Sequence, residues 1–173
     1  MDTVQRFEDR PTLPLQASTT GGVDALLRRL ERAPSMFGRY ELRGVLGAGA
    51  SAVVFEGRDL RLRRRVAVKV AISDGQLDDG YRATCLREEG RILARIDHPN
   101  VVRALECGEV AGVPFLAMTR VDGVDIGRYE AITSPSVPEL LAPFADFAEG
   151  LAAAHEAGFV HRDVKPSNLL VDL

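Results

Sequence analysis

Two lysines stand out in this chain of 173 residues, because the other 20 of its 22 basic side chains are arginines. Lys69 follows the apolar run that begins at Val66, and Lys165 comes two positions after Asp163. A lysine ammonium is a compact charge on a flexible stem, whereas the arginine guanidinium is a planar fork. Both lysines are therefore candidates for contact with phosphate, and the alternative is two ordinary surface lysines.

Glu89 is the candidate partner of Lys69. Hydrophobic periodicity predicts a helix over residues 79–96, and four of its residues share one buried face: Cys85, Glu89, Ile92 and Ile96. A carboxylate between apolar neighbours needs a cation or hydrogen-bond donors, because burying it alone is costly. Lys69, 20 residues earlier, supplies a cation. The alternative is a buried ion pair that serves no ligand.

A glycine-rich turn joins two predicted strands, over residues 40–46 and 53–58. Glycines at 47 and 49 allow backbone N–H groups to approach phosphate oxygens closely. The turn leads into a strand rather than a helix, which argues against a dinucleotide-binding fold. Taken alone, the pattern also fits a plain hairpin.

The most specific segment is 161–168, which reads His-Arg-Asp-Val-Lys-Pro-Ser-Asn. With the glycine turn, Lys69 and Glu89 in this order, the chain resembles the eukaryotic-like (Hanks-type) protein kinases over about residues 37–173. Lysine two positions after Asp163 is typical of the serine/threonine members. Phosphotransferases for aminoglycosides or choline share the architecture, but they usually lack counterparts of Arg162 and Lys165.

The resemblance implies an ATP site. Val54 and Ala67 would sandwich the adenine, Met118 would be the gatekeeper, and the backbones of Thr119 and Val121 would read the adenine edge. The full set of implied nucleotide contacts is Leu46, Gly47, Ala48, Gly49, Ala50, Ser51, Ala52, Val54, Ala67, Lys69, Met118, Thr119 and Val121.

The resemblance also implies the catalytic roles. Lys69, held by Glu89, would contact the α- and β-phosphates. Asp163 would accept or orient the proton of a serine or threonine hydroxyl on a protein substrate, and Lys165 would neutralise charge on the transferred group. Asn168 would bind Mg²⁺. His161 is interpreted as a scaffold for the loop rather than a base.

For the elements that position these residues, the resemblance implies an α+β, protein-kinase-like fold. We expect a complete five-stranded small lobe with one main helix (37–118), a hinge (119–123) and the first helical part of the large lobe (124–173). A second helical region is predicted over 135–157, with Ser136 and Glu139 as a capping box and Gly158 as a left-handed cap. Residues 1–36 are predicted to be a tail with a short amphipathic helix over 24–33. That helix either docks on another surface or is a frayed linker.

Composition narrows the partners. The net charge of −3 gives no basic field for nucleic acid. No apolar stretch approaches 18 residues, so no membrane segment is predicted within the chain. Cys85 and Cys107 make neither a disulfide framework nor a metal motif, and we expect reduced, partly buried thiols in a cytoplasmic protein. A membrane anchor beyond Leu173 is left open.

Two departures from the kinase pattern shape the functional hypothesis. Ala52 stands where the third loop glycine is expected, and only five residues follow Asn168, so no D-F-G, activation-loop or A-P-E segment is present. The leading hypothesis is the N-terminal part of a longer active serine/threonine kinase, with the 173 residues inactive alone. The alternative is a truncated, non-catalytic module that binds nucleotide or engages another kinase.

Overall fold

A computed structural model describes residues 22–49, 51–72 and 79–173. Six strands form one antiparallel sheet in the order β1-β2-β3-β4-β6-β5: β1 (Ser35–Phe37), β2 (Tyr40–Ala48), β3 (Ala52–Asp59), β4 (Arg64–Ala71), β5 (Ala104–Val110) and β6 (Val113–Thr119). The predicted α+β, protein-kinase-like fold is confirmed. The sheet has six strands rather than five, because the short β1 pairs with β2.

In the described part of the chain, four α-helices accompany the sheet: α1 (Gly22–Leu30), α2 (Asp79–Leu93), α3 (Ile126–Thr133) and α4 (Val137–Glu156). Two short strands, β7 (Gly123–Asp125) and β8 (Leu170–Asp172), form a separate antiparallel pair beyond the six-stranded sheet. Helix α3 and strand β7 have no counterpart among the predicted elements. Within the described residues, no helix combines the length and apolar character that a membrane crossing requires.

One face of the sheet carries the main apolar core. Side chains alternate along β3 and β4, so that Val53, Phe55, Val66 and Val68 are buried together on this face. Helix α1 covers part of the core, where its Val23 is buried. Of the two alternatives for this segment, docking on the folded part is the one observed. The first 21 residues of the expected tail lie outside the described residues.

The other face of the sheet packs against α2. Among the residues of this helix that the structure describes, Ala83, Leu86 and Gly90 are buried, whereas Cys85 is exposed and Glu89 and Ile92 are half-buried, so the predicted stripe was wrong on the helix. Ile96 is buried as predicted, but it lies beyond the helix, which ends at Leu93 rather than at 96. Cys85 and Cys107 are both exposed, so the expectation of partly buried thiols was wrong. A Cβ on Gly90 would clash with Sγ of Cys107 on β5, so a glycine here lets the helix approach the sheet closely.

Helix α4 begins with the predicted capping box, since the Ser136 N–H donates to the Glu139 carboxylate over 2.8 Å. The helix runs through Pro143 and is followed by Gly158 with a φ of 79°. Helix α4 contacts the segment after α2, where Nδ2 of Asn100 donates to the carbonyl of Asp146 over 2.8 Å. Its other face is open, and Leu141 is 60% exposed.

Candidate active site

Lys69 and Glu89 come together between the sheet and α2. Val68 and Val70 face the main core, so alternation along β4 turns Lys69 toward the opposite face and the helix. The Lys69 Nζ lies 2.7 Å from each carboxylate oxygen of Glu89. The side chains are 26% and 37% exposed, so Glu89 lies at the edge of the packed face of α2, open to an incoming ligand.

A second group of side chains forms on the loop before β8. Oδ2 of Asp163 lies 2.7 Å from Nζ of Lys165 and accepts a 3.1 Å hydrogen bond from Nδ2 of Asn168. The same Nδ2 donates to the Asp163 carbonyl over 2.8 Å. The hydrogen bond from Lys165, supported by that from Asn168, holds the pKa of Asp163 below its usual value. Asp163 is therefore an anion at neutral pH and can accept a hydrogen bond from a hydroxyl.

The backbone of this loop explains how the three side chains meet. Arg162 has a φ of 60°, a left-handed conformation that is uncommon for a residue with a side chain. Nδ1 of His161 accepts a 3.3 Å hydrogen bond from the Asp163 N–H, which matches the predicted scaffold role. A 3₁₀ turn over Pro166–Asn168 then brings Asn168 back to Asp163. These contacts are all local in sequence.

The glycine-rich turn lies between β2 and β3. The Gly49 N–H donates to the Ala52 carbonyl over 2.9 Å, and Gly47 pairs with Val54 across the strands. A Cβ on Gly47 would meet no atom within 4 Å, and neither glycine has a positive φ. The fold itself therefore does not demand glycine at 47, and the open space suits close approach of a phosphate to the backbone. Ala50 lies outside the described residues.

Cross-strand register places the implied adenine contacts on the face that carries Lys69. Val54 pairs with Lys69 on β4, and Ala67 of β4 pairs with Met118 on β6. Directly paired residues point to the same face of a sheet, and so do residues two apart on one strand. Val54, Ala67 and Met118 therefore form one continuous surface next to the Lys69–Glu89 pair.

The segment 119–123, which joins β6 to β7 and was predicted to be the hinge, is called the linker below. It offers backbone groups beside this surface. The Thr119 N–H already donates to the Arg103 carbonyl over 2.9 Å, so of the two backbone groups of Thr119 the carbonyl is the candidate contact for a ligand. Among the described residues, the Val121 N–H donates no backbone hydrogen bond. One donor and one acceptor two residues apart match the edge of an adenine ring.

Asn168 is the candidate Mg²⁺ ligand. Its amide nitrogen donates to Asp163, which leaves the side-chain oxygen as the group that faces a cation. A neutral amide oxygen is a hard ligand of the kind that Mg²⁺ accepts beside substrate phosphates. Within the described residues, no group of three or more His, Cys, Asp or Glu side chains could hold a metal alone. The donor set therefore fits a metal shared with a nucleotide.

Four charged side chains at the linker were not predicted: Glu56, Arg65, Arg120 and Asp122. Glu56 on β3 and Arg65 on β4 are separated in sequence from the other two, and only strand register brings the four together. The sequence does contain one indication that Glu56 lies near a ligand. Glu56 is two positions after Val54 on one strand, so both side chains point to the face that carries Lys69.

Comparisons with known proteins agree with this arrangement. A family model of the protein kinase domain matches residues 40–173. The chain is 37% identical over 141 residues to the serine/threonine-protein kinase PknH of Mycobacterium bovis, covering 81% of this chain and 24% of that protein. It is 40% identical over 148 residues to the probable serine/threonine-protein kinase pknA2 of Bifidobacterium longum, and the match covers 82% of this chain and 19% of that protein. The crystal structure of the PknI kinase domain of Mycobacterium tuberculosis superposes with a TM-score of 0.64 at 30% identity, covering 81% of this chain and 58% of that one.

The fold and the site together define a protein kinase domain, and the chain belongs to the protein kinase family. The curated relatives named above are bacterial serine/threonine kinases. The chain spans about a quarter or less of the length of those relatives.

Proposed function

We propose that this chain supplies the nucleotide-binding lobe and the catalytic loop of an enzyme that transfers the γ-phosphoryl group of ATP to serine or threonine hydroxyls of proteins. The observation that carries this proposal is the Asp163 carboxylate, held 2.7 Å from the Lys165 ammonium and hydrogen-bonded to Asn168. An anion that orients a hydroxyl, beside a cation for the transferred phosphoryl, is what phosphoryl transfer requires.

The nucleotide would lie between the glycine turn and the surface formed by Val54, Ala67 and Met118. Lys69 would reach the α- and β-phosphates, while Glu89 keeps its ammonium in place through two hydrogen bonds of 2.7 Å. The Thr119 carbonyl and the Val121 N–H would read the adenine edge. The sequence between 47 and 52 would place its backbone over the phosphates.

The catalytic loop would act on the other side of the γ-phosphate. Asp163 would orient the substrate hydroxyl and take up its proton as the hydroxyl oxygen bonds to the γ-phosphorus. The bond between that phosphorus and the bridging oxygen to the β-phosphate would break in the same step, and ADP would leave. Lys165 would balance charge on the phosphoryl group in transit. Asn168 would hold Mg²⁺, which supplies charge neutralisation at the phosphate oxygens when it is bound.

Calorimetric titration of MgATP into the purified 173-residue chain tests the first half of this proposal. We expect saturable binding by the wild type and a loss of affinity of about tenfold or more in Lys69→Met, since one charge-assisted phosphate contact contributes on the order of 1.5–3 kcal/mol. Arg91→Met, which removes a cation from an exposed pair with Glu88, is the matched control and should bind as the wild type does. Equal affinity in wild type and Lys69→Met would contradict the proposed site.

The 173 residues alone are expected to show no phosphotransfer to proteins, because they contain Asn168 but no D-F-G aspartate to complete the Mg²⁺ site. The test is transfer of labelled phosphate to a generic protein substrate by the purified chain and, in parallel, by the gene's full product. Measurable transfer by the 173-residue chain would contradict this part of the proposal.

A further inference from the structure

The four charged residues at the linker form a closed ring. The Arg65 guanidinium reaches Glu56 over 3.0 Å and Asp122 over 2.7 Å. Arg120 contacts the same two carboxylates, with its Nε 3.3 Å from Oε1 of Glu56 and its Nη1 paired with Asp122. Each cation thus contacts both anions, and the charges of the ring cancel.

The ring adjoins the proposed adenine surface. Glu56 pairs with Ala67 across β3 and β4, and Ala67 pairs in turn with Met118 on β6. Paired residues share a face, so Glu56 lies in the same row as the two proposed adenine contacts. Arg65, two positions before Ala67, points to the same side of β4.

Arg120 is the buried tie between the linker and the sheet, beside the exposed pair of Asp122 with Arg65. Its side chain is only 7% exposed, whereas those of Arg65 and Asp122 are 55% and 60% exposed. A nearly buried guanidinium needs its carboxylate partners, because leaving it without them is strongly unfavourable. Arg120 stands between Thr119 and Val121, so fixing its side chain to β3 also restrains the two backbone groups beside it.

The linker is held on its other side as well. Oγ1 of Thr119 accepts a 3.0 Å hydrogen bond from the Arg103 N–H, and the Thr119 N–H returns a 2.9 Å bond to the Arg103 carbonyl. Thr119 is thus anchored to the segment before β5, whereas the ring restrains the linker from the side of β3 and β4. Arg120 also restrains Val121 directly, because its Nη1 donates to the Val121 carbonyl over 3.5 Å. Beyond Val121, the Asp122 carbonyl accepts the Leu173 N–H over 3.3 Å.

We propose that Arg120 is a positioning residue: its ion pairs with Glu56 and Asp122 clamp the linker, so that the Val121 N–H and the Thr119 carbonyl are pre-set for a nucleotide base. The inference rests on the proposed function, because it assigns the ring a role in nucleotide affinity. A binding group that already has its bound position loses less conformational entropy when the ligand binds. Removing the clamp should therefore weaken binding of ATP without touching the residues that perform the transfer.

The test combines two readouts on the purified chain. The first is hydrogen–deuterium exchange of the Thr119 and Leu173 amides, which donate to the carbonyls of Arg103 and Asp122 and so report on both ends of the linker. The second is the dissociation constant of MgATP. In Arg120→Met we expect faster exchange at these amides and affinity weaker by about tenfold, equivalent to ~1.4 kcal/mol. Arg120→Lys should recover only part of the loss, since one ammonium cannot replace a fork that meets two carboxylates. Asp122→Asn removes one charge of the ring at an exposed position and leaves the buried Arg120 side chain in place. It should therefore give a smaller loss of MgATP affinity and a smaller increase in exchange than Arg120→Met.

Controls separate positioning from folding. Arg91→Met should match the wild type in both readouts, and the amides of β3 and β4 should keep their protection in all variants. In the gene's full product, Arg120→Met should raise KM for ATP and leave kcat unchanged. Faster linker exchange with unchanged ATP affinity would overturn the positioning role. If the wild type binds no nucleotide, the proposed function falls and the positioning role with it, while exchange still reports whether the ring restrains the linker.

Discussion

The two charged groups of the candidate site are held in different ways. Lys69 and Glu89 come from a strand and a helix, 20 residues apart, and their meeting depends on how α2 packs on the sheet. Asp163, Lys165 and Asn168 lie within six residues on one loop, and local hydrogen bonds bring them together. The first group therefore responds to changes in packing far from it, whereas the second is encoded by its own segment.

The surroundings of the two groups differ in the same sense. Lys69 stands between Val68 and Val70, which are fully buried in the main core. The loop group is exposed, and its nearest anchor is Leu169, which is buried and whose carbonyl accepts the Ile126 N–H over 2.9 Å. A mutation in the core should thus disturb the first group, while the second should respond mainly to changes within the loop.

Asp163→Asn should have the largest effect on catalysis, because it removes the anion and leaves the shape of the loop group. We expect kcat for phosphotransfer by the gene's full product to fall by about 10²–10⁴-fold, the usual contribution of a positioned proton acceptor. Affinity for MgATP should stay the same, since Asp163 would contact the hydroxyl and not the nucleotide. A variant that keeps more than a tenth of the wild-type kcat would remove Asp163 from its assigned role.

Lys69→Met breaks the other group and should come next in size. A cation aimed at phosphate charge that develops in the transition state is worth about 10²–10³ in rate. We expect that loss in kcat/KM of the gene's full product, and, unlike Asp163→Asn, the variant should also bind MgATP more weakly. Glu89→Gln, which keeps the shape but not the charge, should fall between Lys69→Met and the wild type. Identical affinity for the Asp163 and Lys69 variants would erase the distinction between the two groups.

Gly90→Ala tests the dependence of the first group on packing. The added methyl would clash with Sγ of Cys107, and overpacking of this kind costs about 1–3 kcal/mol in the free energy of unfolding. Urea denaturation should show this loss, and a second change, Cys107→Ala, should recover most of it. Gly47→Ala is the control, because its methyl meets no atom within 4 Å, and its stability should be unchanged. A Gly90→Ala chain as stable as Gly47→Ala would show that α2 is not closely packed.

The smallest expected effect concerns the pKa of Asp163. The folded loop favours its ionised form, so its contribution to stability is present above the unfolded pKa of about 3.9 and is lost as pH falls through the lower folded value. Lys165→Met removes the larger cause and should raise the pKa of Asp163 toward the ordinary value. Carboxyl ¹³C chemical shifts followed over pH measure this directly. No upward shift in Lys165→Met would mean that the hydrogen bond with Lys165 is not formed in solution.

The features that the sequence predicted best are those that depend on residues close together in the chain. The Ser136–Glu139 capping box and the left-handed Gly158 depend on residues only a few positions apart, and both are observed. The pairing of Lys69 with Glu89 was also predicted, because the family pattern supplies the spacing. The expected burial of Glu89 between apolar neighbours was wrong, since its side chain is 37% exposed. The roles of these residues in catalysis stay predictions until they are measured.

What the sequence did not predict depends on tertiary contacts. The buried stripe of α2 follows Ala83, Leu86 and Gly90 because Cys107 of β5 leaves room only for a glycine at its contact, and a single-helix periodicity cannot contain that fact. The ring of Glu56, Arg65, Arg120 and Asp122 exists only once β3, β4 and β6 are in register. The strand β1 is three residues long, and its pairing with β2 provides no periodic signal of its own.

The most direct test of the account is the identity of the phosphorylated residue. The gene's full product is incubated with labelled MgATP and a protein substrate, and the substrate is hydrolysed for phosphoamino-acid analysis. We expect phosphoserine or phosphothreonine with the wild type and a signal lower by about 10²-fold or more with Asp163→Asn. A full product that binds MgATP yet labels no hydroxyl would contradict the proposed phosphotransfer to proteins and leave a non-catalytic nucleotide-binding member of the family.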